Sequence, residues 1–380
     1  MSRAVLPRMA TASAAVIWLA LLAAVARAEP PQNVEPFLVG IGRSIHDKND
    51  GVADALRFLG VRSIRVDAPW QSIEQAPGRY AIPAWLDAAV DSARAAGAEP
   101  LLILAYGNAL YGGDKPRSPA AIAGFLRYAR YVTLHFAGRV RYFDLWNEWD
   151  AQTGRTTPGS ADDYVALARH VYPAIKATNP DAVVLSGGIS SSGLERGWVE
   201  RFVELGGLEV VDALSLHPYN LHRDGSPEEA IAELDRVHAL TRNAARPVPI
   251  YVTEMGYPAY SGRGGVSRET AAVYLARFML LASTRPYIAG VWWYCLRDQG
   301  NDPANREHTF GVLDSALQPK RAAHALRDVA ALLAQVQRFR DRSRGSEQRV
   351  VGSRADGGEV VLAWNAAGAD VRLLSDLEPR

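Results

Sequence analysis

The stretch RYFDLWNEWD, residues 141–150, runs apolar, strand-forming positions straight into an Asn-Glu pair, Asn147 and Glu148, flanked by Trp146 and Trp149. Seven further runs of this kind punctuate the chain: FLVGIGRS (37–44), VRSIRVDAP (61–69), PLLILAYG (100–107), AVVLSGGIS (182–190), DALSLHPY (212–219), PIYVTEMGY (249–257) and GVWWYCLRD (290–298). Helix-period segments separate them, among them AWLDAAVDSARAAG (84–97) and ADDYVALARHVYPAIKATNP (161–180), and several end in Gly or Asn-Pro, as helix stops do. KRAAHALRDVAALLAQVQRFR (320–340) reads as a last helix after the eighth run. Eight strands alternating with helices over this length predict an α/β fold, a (β/α)8 TIM barrel. An open doubly wound sheet would carry a Gly-rich phosphate loop after its first strand, and GIGRSIHDKNDG (40–51) lacks the third glycine at the required spacing.

The flanks read differently. Residues 1–28 have the three parts of a signal peptide: Arg3 and Arg8, an apolar run from Ala10 to Val25, and the small-x-small site Ala26-Arg27-Ala28. The barrel is expected over residues 29–342. Residues 343–380 are expected to form a short β-rich C-terminal appendage, because QRVVGSRADGGEVVLAWNAAGADVRLL (348–374) alternates β-formers with Gly-Asp turn signals. The chain is thus expected to be secreted or periplasmic, without stable membrane insertion once its leader is removed. Without that leader 39 basic side chains face 41 acidic ones, which gives no electrostatic reason to bind nucleic acid. Cys295 is the only cysteine, so stability outside the cell cannot come from an intramolecular disulfide.

Barrel active sites lie at the C-terminal ends of the strands. Those ends hold Asp67 and Trp70, Tyr106 and Asn108, Asn147 and Glu148, His217 and Tyr219, Glu254, and Trp293 with Asp298; Arg65 lies deeper on the second strand. Any one of these could be a satisfied polar group at a rim. Two glutamates on opposite sides of a barrel, ringed by aromatics, are harder to explain as structure, because burying carboxylates is costly. Paired carboxylates suit glycosidic bond cleavage: one delivers a proton to the leaving oxygen, and the other, ionised, attacks the sugar or activates water. Trp70, Tyr106, Trp146, Trp149, Tyr219, Tyr260, Trp292 and Trp293 could pack against sugar rings, although alternation lets only one of Trp292 and Trp293 face the barrel axis. No H-x-H or HExxH spacing is present, so neither a catalytic metal nor a cofactor is expected. SGGISSSG (186–193) lacks the G-x-S-x-G elbow of a serine hydrolase.

LWNEW and YVTEMGYP fall on the fourth and seventh strands by independent count. In this the chain resembles the clan A retaining glycoside hydrolases, in which an Asn-Glu pair closes the fourth strand and a second Glu the seventh. RVDAPWQSIEQAPGRYAIPAWLDAAVDSARAAG (65–97) and LSLHPYN (214–220) extend the likeness over strands two and six. GVWWYCLRDQGNDPANREHTFGVLDSALQPKRAAHAL (290–326) is similar to family 39 and to related bacterial exopolysaccharide endoglycosidases. The resemblance implies a polysaccharide or oligosaccharide substrate, with Glu148 as general acid/base and Glu254 as nucleophile. It further implies that Asn147 holds the sugar 2-hydroxyl, that Arg65 and Tyr219 contact Glu254, and that His217 lines the site. Trp293 would be the platform beneath the sugar, with Trp292 its alternative, and Trp70, Tyr106 and Asn108 are the remaining substrate-binding candidates. Cys295 departs from the pattern, since related sequences often carry Asp there. For retention the carboxyl groups should lie roughly 5–5.5 Å apart. A non-catalytic carbohydrate-binding or exopolysaccharide-assembly protein is the alternative class, and the intact Asn147, Glu148 and Glu254 favour the enzyme.

Overall fold

All eight expected strands form, and they are parallel: β1 (Leu38–Gly42), β2 (Ser63–Pro69), β3 (Glu99–Ala105), β4 (Tyr142–Leu145), β5 (Val183–Leu185), β6 (Leu214–His217), β7 (Ile250–Met255) and β8 (Ile288–Trp293). The computed structural model describes residues 36–44, 51–223, 225–368 and 372–377. The signal peptide expected over residues 1–28 lies outside them. Hydrogen bonding orders the strands β5-β4-β3-β2-β1-β8-β7-β6. The ring closes where the chain just beyond β5 pairs with β6, at Ile189↔Leu216 and Ser190↔His217, with a further bridge from Leu185 to Ala213.

The outer ring consists of α1 (Val52–Leu59), α2 (Ala84–Ala95), α3 (Pro119–His135), α4 (Ala161–Thr178), α5 (Trp198–Glu204), α6 (Pro227–Thr241), α7 (Arg268–Ser283) and α8 (Arg321–Gln335). Four of these helices start at a serine whose hydroxyl accepts from a first-turn amide: Ser118, Ser160, Ser226 and Ser267. Among the described residues no helix is long and apolar enough to cross a membrane.

The barrel interior is packed rather than hollow. Near its floor the Trp292 indole lies over Gly40, where an added Cβ would come within 2.4 Å of the ring, and its Nε1 donates to Ser63 Oγ at 2.9 Å. Tyr251 fills the space between Trp292 and Tyr142, with ring centroids 5.7 Å from each. Above that floor the inward positions turn polar, which raises the site.

The last helix is shorter than its sequence pattern. Val336–Asp341 is a strand, β9, and it opens a four-stranded antiparallel sheet with β10 (Glu347–Arg354), β11 (Glu359–Asn365) and β12 (Arg372–Leu377). The β-rich part thus begins at Val336, ahead of residue 343. Burial of Val336 and Phe339 and five paired positions along β10 outweigh the helix propensity of the Gln-Arg-rich segment. A buried clamp ties this sheet to the helices. Arg277, fully buried on α7, pairs with Glu228 of α6 and donates to the Ala366 and Gly368 carbonyls at 2.9 Å, while Trp364 Nε1 donates to Glu228 Oε1 at 2.7 Å. Trp364→Phe removes one hydrogen bond to a charged acceptor, and urea denaturation should show a loss of about 2 kcal/mol.

Candidate active site

Local backbone geometry aims the key side chains. Trp146 and Glu148 both have positive φ, 89° and 48°. Bulky residues rarely adopt that region, and holding each there costs about 1–3 kcal/mol. Packing and backbone bonds hold the turn. Trp146 N–H donates to the Leu104 carbonyl at 3.1 Å and Glu148 N–H to that of Gly187 at 2.8 Å. The Trp146 ring sits 5.7 Å from Phe125 and 5.3 Å from Trp149, and both indoles are buried. Lys115 secures the loop that follows, donating to the Thr157 carbonyl and Thr156 Oγ1 at 2.7 Å and to the Ala151 carbonyl at 3.0 Å. Burial pulls its ammonium down to about 8, against the pull of Asp114. Trp146 and Trp149 therefore build the turn that presents Asn147 and Glu148, and neither meets the cavity.

Across the mouth, β7 carries a bulge. Its register with β8 runs Val252↔Val291 and then Met255↔Trp293, one residue longer on the β7 side. The extra residue lets Thr253 and Glu254 both face the barrel, which simple alternation forbids. One Arg65 nitrogen, Nη1, donates to Glu254 Oε1; the other, Nη2, donates to Asn147 Oδ1 at 2.7 Å and lies 3.5 Å from Asp144. Tyr219 OH donates to Glu254 Oε2 at 3.3 Å. His217 Nδ1 lies 3.0 Å from Glu148 Oε1 and 3.8 Å from Glu254 Oε2. Asn147 Nδ2 donates to Tyr106 OH at 3.3 Å, and burial pushes that phenol well above its usual range. Burial also pushes the Glu254 carboxyl up, but the charges of His217 and Arg65 and the hydrogen bonds from Arg65 and Tyr219 outweigh it and hold Glu254 below its ordinary value.

Glu148, His217 and Glu254 each bring a donor atom within 4.8 Å of the others. The trio has the residue types of a metal site, but the Arg65 guanidinium already covers Glu254 and a bound cation would stand against it. The two carboxylates frame a cavity of about 390 Å³, lined also by Tyr219, Leu221, Tyr294, Arg306, Glu307 and Phe310.

The sequence-expected residues thus divide. Glu148, Glu254, Asn147, Arg65, His217, Tyr219 and Tyr106 come together. Trp70 and Asn108 do not reach the cavity. Trp70 stacks on Tyr111 at 4.8 Å and bonds Glu74, and Asn108 is buried between the Glu74 carbonyl and the Leu110 amide. Trp293 points outward, toward Tyr257 and Phe278, while Trp292 faces the axis but is sealed beneath the site. Half-buried Tyr294 brings an aromatic ring to the cavity instead. Two-residue alternation from an inward Trp292 leads to it. Phe310, 5.3 Å from Tyr294 and 6.3 Å from Tyr219, carries no sequence signal of its own.

Solved structures similar to this one are clan A glycoside hydrolases. A family 39 glycoside hydrolase from the gut symbiont Bacteroides cellulosilyticus WH2 superposes with a TM-score of 0.77 at 25% identity, over 90% of this chain and 74% of its own. For a GH5_18 protein from Streptomyces cattleya the TM-score is 0.65 at 16% identity, over 79% of this chain and 80% of its own. Xylanase 10B from Thermotoga maritima gives 0.59 at 16% identity, over 78% of this chain and 95% of its own. No family model matches the chain, and no curated protein matches it. These likenesses fix the fold as an α/β barrel with a β-rich C-terminal part.

Proposed function

We propose that the protein is a retaining glycoside hydrolase that cleaves a polysaccharide by double displacement. The observation that carries this reading is the pair of glutamates facing each other across the cavity, with oxygens within 4.8 Å, one of them held ionised. That spacing suits a direct attack on the sugar and leaves little room for a water between carboxylate and anomeric carbon. Glu254 attacks the anomeric carbon while Glu148 protonates the departing oxygen; Glu148 then deprotonates the water that releases the glycosyl-enzyme. Asn147 has its Oδ1 engaged by Arg65, which turns its amide N–H toward the Tyr106 hydroxyl and the sugar 2-hydroxyl. Tyr294 and Phe310 offer apolar faces to pyranose rings. The strand-eight pattern supports internal cleavage of an exopolysaccharide, and the leader pattern in residues 1–28 supports action outside the cytoplasm.

Product masses across a panel of bacterial exopolysaccharides and plant β-glycans test the reading. Defined oligosaccharide products support it; binding without any cleavage by pure protein across the panel refutes it. The pH profile of kcat/KM follows from Glu254. Its folded value lies below the unfolded one, so the ionised form, and the stability it adds, persist until pH falls through the lowered value. The acid limb of the profile should therefore lie below the ordinary carboxylate range, and a limb above it would contradict the assignment.

A further inference from the structure

Beneath the two glutamates, an unbroken chain of buried polar side chains crosses the barrel. Asp144 on β4 is fully buried, with Oδ1 accepting from Gly187 N–H at 2.7 Å and Oδ2 from Ser215 Oγ at 2.8 Å. Ser215 Oγ lies 2.5 Å from Thr253 Oγ1, which is 3.0 Å from His217 Nε2. On its other side His217 meets Glu148. All four links are fully or largely shielded from water: Asp144, Ser215, Thr253 and His217 are fully buried.

We infer that Asp144, Ser215 and Thr253 act as a positioning relay that keeps a proton on His217 Nε2, so that Nδ1 and Glu148 hold one further proton between them. The direction follows from donor counting. An ionised Asp144 only accepts, so the Ser215 hydroxyl donates to it. Ser215 Oγ then has two lone pairs, one taken by Gly188 N–H at 3.0 Å and one by the Thr253 hydroxyl. Thr253 has no second proton and must accept from Nε2–H. With Nε2 protonated, Nδ1 can bond Glu148 in two ways. Neutral imidazole accepts from the protonated carboxyl, or imidazolium donates to the carboxylate. In both the proton needed by the departing oxygen is already in place. Burial pushes the Asp144 carboxyl above its ordinary value, against the charge of Arg65, 3.5 Å away. The ionised form on which the chain depends is carried by the geometry, with both oxygens accepting, from Gly187 N–H and from the Ser215 hydroxyl. Gly188 makes room for this arrangement, since a Cβ there would lie 2.5 Å from the His217 ring.

The relay rests on Glu148 being the acid/base, yet its first test needs no activity. In full-length protein labelled with 15N-histidine, His217 (assigned by loss of its signals in His217→Gln) should show a directly bonded proton on Nε2 at neutral pH. A proton on Nδ1 alone overturns the relay. Asp144→Asn supplies a donor where the carboxylate accepted, which reverses each bond, and should move the lone proton to Nδ1; an unchanged Nε2 signal also overturns it. The kinetic arm uses Thr253→Val and a panel of aryl β-glycosides. Phenyl glycosides, whose leaving group needs a proton, should slow by roughly 10²-fold, while dinitrophenyl glycosides change little. Equal loss on both classes marks a merely structural role. Absence of hydrolysis in the wild type would refute the glycosidase reading and leave the tautomer result to stand or fall alone.

Discussion

Glu254→Gln is expected to lower kcat on the best glycan substrate on the order of 10⁴-fold or more, with KM close to that of the wild type. The amide is nearly isosteric and neutral. Its oxygen can still accept from Arg65, and its partly buried position on the β7 bulge can be kept, so substrate binding survives. What is lost is the nucleophile: an amide cannot form the glycosyl ester that splits the reaction into two steps. The wild type should accumulate a glycosylated peptide containing residue 254 when quenched with a slow 2-fluoro substrate and digested, and the variant should not. A variant that turns over at near wild-type rate, or a label on another residue, would remove Glu254 from the role. Glu148 offers the contrast. Its replacement by Gln should leave activated aryl substrates able to load the enzyme, because their leaving groups need no proton.

How far such a site can be read in advance depends on what each residue's neighbours demand. The eight strands were legible because long apolar runs bounded by turn signals recur with helix-period segments between them. Glu148 and Glu254 were legible as a pair, because two carboxylates at opposed strand ends have few structural excuses, and Asn147 was legible through the Asn-Glu resemblance. Arg65 could be found from its depth on β2, where a lone buried cation needs anionic partners. The bulge in β7 was hidden, since nothing in PIYVTEMGY says that Thr253 and Glu254 share a face. Trp292 and Trp293 were ambiguous for the related reason that a strand's phase is set by its partners, and the aromatic at the cavity proved to be Tyr294. Asp144, Ser215 and Thr253 leave a fainter trace: each is a polar residue inside an otherwise apolar strand, at a position that only a partner across the barrel could justify. The strand at Val336–Asp341 was masked by helix-favouring Gln and Arg, whose propensity the pairing with β10 overrides.

Arg65 is where stability and chemistry meet, and its removal is the second large effect. The guanidinium is almost completely buried and contacts Glu254, Asn147 and Asp144 from one position. Burial alone would lower its proton affinity, but the charges of Glu254, Asp144 and Asp67 raise it above the ordinary arginine value, so it stays a cation throughout the working range. Arg65→Met would leave Asp144 and Glu254 without their common counter-charge, and breaking a buried pair in this way costs about 3–5 kcal/mol. Urea denaturation should report that loss, and any protein that remains folded should show the acid limb of kcat/KM shifted upward, because Glu254 keeps the His217 charge and the Tyr219 bond but loses both the charge and the hydrogen bond of Arg65. Arg65→Lys separates the two contributions. Lysine keeps a charge near Glu254 but is a point donor that cannot span Glu254 and Asn147 together. It should recover most of the stability while kcat stays low, because Asn147 loses the bond that fixes its amide. If the lysine variant were as active as wild type, the two-pronged grip on Glu254 and Asn147 would be irrelevant to turnover. If Arg65→Met were as stable as wild type, the carboxylates it faces would have to be uncharged, and the division of labour between Glu254 and Glu148 would have to be drawn again.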